Sequence, residues 1–242
     1  VCNWFYGLFV LPESLPPERR HAVDWKGVNP VSALKRLSEL KGVGLLVVVI
    51  GMSSLAQMVL HTSWVLYTTF KFGWGPAENG WSLFAVGVMG VIVQGGLIRV
   101  ALKRWPAERI AVMGLISSSI CYALWGLASE GWMMYAVVVL NVFGFMANTA
   151  VQSLVSNAAD DSTQGKTMGS VASLTSLMAV LAPVLGAALL GIVSHLPRGD
   201  WRIGAPFFLC AALQMVSTTF ALMHFRRQRS ADAAAAATPA QA

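Results

Sequence analysis

Polar and aromatic side chains recur at helical spacing in two long apolar stretches of the sequence. The two series consist of Gln57, His61, Trp64 and Thr68 in the first stretch, and Asn141, Phe145, Asn148 and Gln152 in the fourth. Both follow the spacing i, i+4, i+7, i+11, which places each series on one face of an α-helix. An amide without a hydrogen-bond partner is costly in an apolar medium, so both faces must contact protein or water. Two interpretations follow: hydrogen bonds that hold helices together, or the wall of a cavity that binds a ligand.

His61 is the residue of the two series whose charge can change near neutral pH. An imidazole has an ordinary pKa of about 6.5, so His61 can relay protons within a membrane. A neutral, hydrogen-bonded histidine is the more common arrangement, and the sequence leaves both roles open. The other three histidines, His21, His195 and His224, lie in loops or near the ends of apolar stretches.

The elements that position these residues are six apolar stretches. They cover residues 43–70, 81–100, 110–127, 132–155, 168–193 and 203–225. Each reaches the roughly 17 to 20 residues that a helix needs to cross a hydrocarbon core of about 30 Å. Apart from Arg99, one residue inside the second stretch, none carries Asp, Glu, Lys or Arg away from its ends. The sequence therefore predicts an all-α, polytopic membrane protein with a bundle of six transmembrane helices.

Composition and the distribution of basic residues agree with a membrane protein. The chain is 56% hydrophobic and 12% charged, with a mean hydropathy of +0.62. Of the 17 Lys and Arg residues, all except Lys71, Arg198 and Arg202 lie in alternate loops or the two terminal segments. By the positive-inside rule, that side is cytoplasmic, which puts both ends of the bundle inside the cell. The net charge of +6 then reflects loops that face anionic membrane lipid, and a nucleic-acid partner is not expected.

The sequence shows no pattern typical of an enzyme or a cofactor site. It has no Gly-x-Ser-x-Gly, no His-Glu-x-x-His, no phosphate-binding glycine loop and no pair of carboxylates inside an apolar stretch. The three cysteines, Cys2, Cys121 and Cys210, have no paired spacing and are expected to be inert thiols. We expect neither catalysis nor a cofactor or metal.

The two ends of the chain differ from the middle. Residues 1–11 are apolar but too short to span a membrane, and Pro12, Pro16 and Pro17 follow. We expect four segments: the end of a truncated transmembrane helix (1–11), a cytoplasmic linker (12–41), a six-helix domain (42–226) and a disordered, Ala-rich cytoplasmic tail (227–242).

Several motifs carry a resemblance to a known family. They are Leu11-Pro12-Glu13-Ser14, Asn29-Pro30, Phe70-Lys71-Phe72-Gly73-Trp74, Gly80-Trp81-Ser82-Leu83, Gly204-Ala205-Pro206-Phe207, and a longer series from Gln152 through Asp160 and Leu174-Thr175-Ser176-Leu177 to Pro183. In these the chain resembles the carboxyl-terminal half of the major facilitator superfamily, and within it the tetracycline-resistance-type drug:proton antiporters. The first motif corresponds to the end of helix six, so the six predicted spans correspond to helices seven to twelve.

The resemblance implies a function and a site. Superfamily members line a central cavity with helices seven, eight, ten and eleven, which places seven residues in a substrate-binding wall: Gln57, His61, Trp64, Asn141, Phe145, Asn148 and Gln152. The implied protein is a fragment of a proton-coupled exporter of drugs or other small amphipathic compounds at a bacterial inner membrane. Its partners would be the substrate, protons and the missing amino-terminal six-helix half. The alternative is a truncated six-helix scaffold that transports nothing without that half.

The chain also departs from the family pattern. Ser118 stands where helix nine of tetracycline pumps often carries an acidic residue, which weakens the case for tetracycline as substrate. The basic turn over residues 96–109 has Pro106 and Ala107 where the family motif has glycine. In the fifth span, Pro183 predicts a bend, either structural or one that lets the bundle rock. The glycines at 165, 169, 186 and 191 predict close approach of neighbouring helices.

Cysteine accessibility tests the predicted topology. Cysteines introduced at Ser38 and Ser194 should react with a membrane-impermeant thiol reagent from opposite sides of the membrane, because an odd number of spans separates the two positions. Labelling of both from the same side would contradict the six-span topology.

Overall fold

The structure, a computed structural model, describes residues 44–157 and 164–237, together with Phe5 and Phe9. Eight α-helices in the described ranges are labelled in chain order: α1 Gly44–Phe72, α2 Pro76–Ile92, α3 Ile98–Arg104, α4 Ala107–Leu127, α5 Gly131–Leu140, α6 Val142–Asn157, α7 Gln164–Val193 and α8 Ala205–Ala237. A π-helical segment, Val93–Leu97, joins α2 to α3, and a 3-10 turn, Trp201–Gly204, precedes α8. No strand occurs in these ranges, and the predicted all-α fold is confirmed.

The helices match the predicted spans, with one correction. Within the described ranges, five helices are long and apolar enough to cross a membrane, and α5 with α6 forms a sixth, bent span. The expectation of one continuous helix over 132–155 is wrong, because α5 and α6 meet at 47°. The break lies at Asn141, whose backbone leaves the helical region at φ −82° and ψ 24°. Hydrogen bonds from Asn141 N to Val137 O and from Phe145 N to Asn141 O keep the backbone paired there.

α1, α4 and α8 form the centre of the bundle. α1 packs against α7 and α8, and α4 packs against α6 and α8. Buried side chains collect in two groups at successive depths, one around Leu46 and Ile110 and the other around Tyr67 and Phe207. Packing of this kind holds membrane helices together, because lipid tails supply no hydrophobic drive for helix association.

α2 and α7 lie at the periphery of the described bundle. Only 11% of the most apolar window of the span containing α2 is buried, and 22% of that of α7, against 56% for α1. The side chains of Trp81, Phe84 and Val91 on α2 are exposed. These two helices therefore present most of their surface to lipid or to protein outside the described chain.

Glycine permits close packing at places other than those predicted. In α7 only Gly186 meets a neighbour closely, since the Ser63 hydroxyl lies where its Cβ would be. Gly165, Gly169 and Gly191 have no described atom within 4 Å of that position, so for these three close packing stays a prediction. The tightest approach joins the start of α8 to the end of α4, where a Cβ on Gly204 would lie 2.7 Å from the Cα of Gly126.

The last helix is longer than expected. α8 continues to Ala237, so residues 227–237, predicted to be disordered, extend this helix. Alanine has the highest helix propensity, which explains why a segment with little to bury stays helical. The helix in α7 also continues through Pro183. Residues 12–41, predicted to be a linker, and residues 158–163 and 238–242 lie outside the described residues, and the division into four segments stays a prediction.

The Gly126–Gly204 contact generates a stability prediction. Gly204→Ala should destabilise the bundle by about 2 kcal/mol, because the new methyl group meets backbone that can relax only by moving α8 away from α4. Gly199→Ala is the matched control, since no described atom lies within 4 Å of its Cβ position. Thermal unfolding in detergent measures both. Equal melting temperatures for the two variants would contradict the close packing of α4 and α8.

Candidate functional site

A cavity of about 160 Å³ lies between α1, α2, α4 and the α5–α6 span. Its lining comprises Gln57, Leu60, His61, Trp64, Leu83, Val86, Gln94, Tyr122, Trp125, Asn141, Gly144, Phe145, Asn148 and Thr149. Six of the seven predicted site residues are among them. The seventh, Gln152, is exposed and lies beyond the cavity, one helical turn past Asn148. The two helical faces predicted from the sequence thus meet across one cavity, except at this end.

A hydrogen bond between two amides joins the two faces. The Nδ2 of Asn148 on α6 donates to the Oε1 of Gln57 on α1 at 2.6 Å. Both side chains are half-buried. The bond satisfies one polar group of each amide, and their remaining donor and acceptor groups are available to a ligand or to water. The contact therefore combines both interpretations of the polar series, since it links two helices and lies in a cavity wall.

The aromatic part of the wall is held rigidly. Trp64 on α1 is buried and donates its indole N–H to the Ser82 hydroxyl on α2 at 3.0 Å. Its ring packs edge to face against Trp125 on α4, with ring centroids 5.2 Å apart. Trp125 in turn stacks on Tyr122 at 5.8 Å and donates to the Met134 carbonyl oxygen at 3.1 Å. This platform offers a flat apolar surface whose orientation is set by hydrogen bonds on both indoles.

Sequence reasoning missed the contribution of α4. Tyr122 and Trp125 line the cavity although no polar series marks their helix. The available signal was the spacing of Ser118, Tyr122 and Trp125, which puts one hydroxyl, one phenol and one indole on the same helical face. Gln94, within the π-helical segment, and Thr149 were also missed. Single π-helical turns inside membrane helices often accompany functional sites.

The position that resembles an acidic site in related pumps is neutral and packed. Ser118 is buried, and its hydroxyl lies 2.5 Å from where a Cβ on Gly144 would be. The neighbouring Ser117 hydroxyl donates to Asn141 Oδ1 at 3.3 Å. These contacts hold α4 against the break between α5 and α6. They also place uncharged groups at the depth where an acidic side chain would otherwise lie.

The part of the cavity wall that the described residues form contains no Asp, Glu, Lys or Arg. His61 is exposed on this wall and makes no hydrogen bond to another described residue. Among the described residues, no group of three or more His, Cys, Asp or Glu side chains could hold a metal ion. The wall therefore offers amides, aromatic rings and one imidazole to a ligand.

Charged side chains near one end of the bundle are paired outside the cavity. The ammonium group of Lys71, at the end of α1, donates to the Gly126 carbonyl oxygen at 3.3 Å. In the loop before α8, Arg202 bonds Asp200 at 2.7 Å, and this guanidinium holds the pKa of the Asp200 carboxyl below its usual range. Neither group lines the cavity.

Comparison with known proteins places the chain beside transport proteins. The sequence pattern of the family described as Major Facilitator Superfamily matches residues 4–183 and, in a second overlapping match, residues 45–241. The class C tetracycline resistance protein of Escherichia coli is 28% identical over 208 residues, 86% of this chain and 52% of the relative. The class B protein of Escherichia coli is 30% identical over 200 residues, 81% of this chain and 49% of the relative. The Hippocampus abundant transcript-like protein 1 of Homo sapiens is 25% identical over 183 residues, 74% of this chain and 36% of the relative. The chain thus spans about half the length of the two bacterial relatives.

Proposed function

Because the chain belongs to the major facilitator superfamily, we propose that it forms the carboxyl-terminal half of a membrane transporter that exports small amphipathic compounds in exchange for protons. The observation that carries this proposal is the cavity, in which two polar helical faces meet an aromatic platform. Such a wall suits a ligand with a flat apolar body and a few hydrogen-bonding groups. Binding sites between helices near mid-membrane are typical of secondary transporters.

The proposed site consists of the predicted residues and the α4 aromatics. Gln57 and Asn148 supply hydrogen bonds, and Trp64, Trp125 and Phe145 supply apolar surface. Asn141 is buried at the helix break and is part of the cavity lining. Gln152 stays a prediction for the part of the pathway beyond this cavity. The relatives named as tetracycline resistance proteins support a drug-like substrate, whereas the neutral Ser118 weakens the case for tetracycline itself.

The proposed setting is a bacterial inner membrane, with both ends of the bundle in the cytoplasm. Basic residues support this orientation. Arg99, Lys103, Arg104 and Arg109 lie around the α3–α4 connection, and Arg229 of α8 reaches Glu108 at 3.7 Å at the same end. Lys71, Arg198 and Arg202 lie at the opposite end, near the close contact of Gly126 with Gly204. Fewer basic residues lie at this end than at the α3–α4 end. The positive-inside rule assigns the end with fewer basic residues to the outside of the cell and the other end to the cytoplasm.

A second reading is favoured by the exposed surfaces of α2 and α7. It holds that this six-helix unit transports nothing by itself and acts as a scaffold that requires an amino-terminal half. The low burial of both helices and the half-length coverage of the relatives support it. Expression of the chain alone and together with the missing half separates the two. Export by the chain alone would contradict the scaffold reading.

An efflux assay tests the proposed function. Cells that produce the complete transporter should accumulate less of some amphipathic dyes or drugs than cells without it, and collapse of the proton gradient should abolish the difference. Unchanged accumulation over a broad compound panel, with the protein confirmed in the membrane, would contradict the proposal.

Substitution of the amide pair tests the site. Gln57→Ala or Asn148→Ala in the complete transporter should change the relative export of different compounds by about fivefold, the effect of losing one hydrogen bond of about 1 kcal/mol, while membrane expression stays nearly intact. Export range and protein level are measured for each variant.

A second interhelical hydrogen bond provides the matched control. Ser53 and Ser217 are bonded through their hydroxyl groups at 2.8 Å between α1 and α8, and neither lines the cavity. Ser53→Ala should lower thermal stability and leave the relative export unchanged. If the amide variants behave like Ser53→Ala, the pair serves packing and the cavity assignment is wrong.

A further inference from the structure

Among the described residues that line the cavity, His61 is the one with an imidazole, the side chain that ordinarily gains or loses a proton near neutral pH. It lies one helical turn from each of Gln57 and Trp64 on α1. Its exposure on the cavity side means that a ligand in the cavity meets the imidazole directly. The protonation state of His61 therefore determines whether this wall is neutral or positively charged.

The described groups that line the cavity with His61 carry no charge. α2 contributes Leu83 and Val86, the π-helical segment contributes Gln94, and the α5–α6 span contributes neutral amides, Phe145 and Thr149. α4 contributes Tyr122, whose phenol is neutral over this pH range because its ordinary pKa is about 10.

On the described parts of the helices packed against α1, charged residues occur near the helix ends. On α1 itself, Lys71 lies about 15 Å further along the axis, at 1.5 Å per residue. In α7 the charged residue is Lys166 in the first turn, and in α8 the charged and titratable groups from His224 onward follow the apolar segment. No described carboxylate is thus placed to neutralise a protonated His61.

We propose that His61 sets the charge preference of this cavity: cationic aromatic compounds bind while the imidazole is neutral, and protonation rejects them in favour of anionic compounds. This inference rests on the proposed transport function and names the substrate class of the same site. With neutral His61, the faces of Trp64, Tyr122, Trp125 and Phe145 attract a cation through their π electrons. With protonated His61, repulsion between two like charges in a poorly screened site outweighs that attraction.

The same electrostatics links substrate to proton. A bound cation disfavours the proton on His61, and the proton disfavours the cation by the same factor, since coupling between two ligands is reciprocal. Protons and cationic substrates therefore compete for the cavity. Exchange of one for the other across the membrane requires such competition.

Binding of two matched probes tests the proposal. The probes are a naphthalene ring bearing a trimethylammonium group and a naphthalene ring bearing a sulfonate, whose charges are fixed at all relevant pH values. Equilibrium dialysis against the complete transporter in lipid nanodiscs gives the affinity for each probe at low and high pH. The ratio of cation to anion affinity should rise about tenfold or more between pH of about 5.5 and about 8.

Three variants assign this change to His61. His61→Gln should hold the ratio at its high-pH value at every pH, and His61→Lys should hold it at its low-pH value. His195→Gln is the matched control, because His195 is exposed in the turn after α7 and does not line the cavity. It should keep the pH dependence of the unchanged protein.

The possible results separate this inference from the proposed function. Retention of the pH-dependent ratio in either folded His61 variant would overturn the inference, as would failure of both probes to bind at any pH. Transport of the probes is measured separately in proteoliposomes that carry a proton gradient. Binding that follows the predicted pattern without transport would support the role of His61 and count against the proposed exporter. Transport of the probes, together with a pH-dependent affinity ratio that neither His61 variant alters, would support the exporter and overturn the role of His61.

Discussion

The absence of water inside a bilayer is the constraint on which this structure depends. Polar groups within the bundle need partners in the protein or in a water-filled cavity, because lipid offers none. α1 meets this requirement along its length, with hydrogen bonds from Trp64 to Ser82, from Tyr67 to the Trp125 carbonyl oxygen and from Thr68 to Asn79. The bonds of Trp64 and Thr68 join α1 to α2, and the bond of Tyr67 joins α1 to α4. The central helix is therefore positioned by the same polar side chains that make it unsuitable for contact with lipid.

The break between α5 and α6 follows from this constraint and opens the cavity wall. In a continuous helix, Asn141 would be one of several polar residues on the same helical face. Instead its side chain accepts a hydrogen bond from Ser117, and short polar side chains of this kind compete with regular helix geometry. The 47° bend turns the following helix so that Gly144, Phe145 and Asn148 border the cavity together. An amide that is hydrogen-bonded to α4 thus marks the bend that sets where the cavity-lining residues of α6 lie.

The periodicity of the sequence was sufficient to identify the two polar helical faces. It was insufficient to identify the aromatic residues of α4 that line the same cavity. Gln57 and Asn148 could be predicted to meet, because a buried amide restricts which way its helix can face. Tyr122 and Trp125 could not be assigned to the cavity, since aromatic side chains in a membrane helix are equally suited to lipid and to packing. The break at Asn141 and the helical tail to Ala237 were also missed. Backbone geometry at a single residue depends on tertiary contacts, and an Ala-rich segment can be helical without burying anything.

The two basic side chains of α1 show how one helix can hold one cation in place and leave another group unpaired. Lys71 is buried, yet its ammonium group lies against the last turn of α4, where it donates to Gly126 and lies 5.3 Å from the centre of the Tyr67 ring. The negative end of a helix dipole and an aromatic face both stabilise a cation, so this charge is fixed in place. His61 has neither kind of partner among the described residues and faces the cavity instead. A charge that the fold has already stabilised responds little to a ligand, whereas one that the fold leaves uncompensated responds strongly, and on this helix that property belongs to His61.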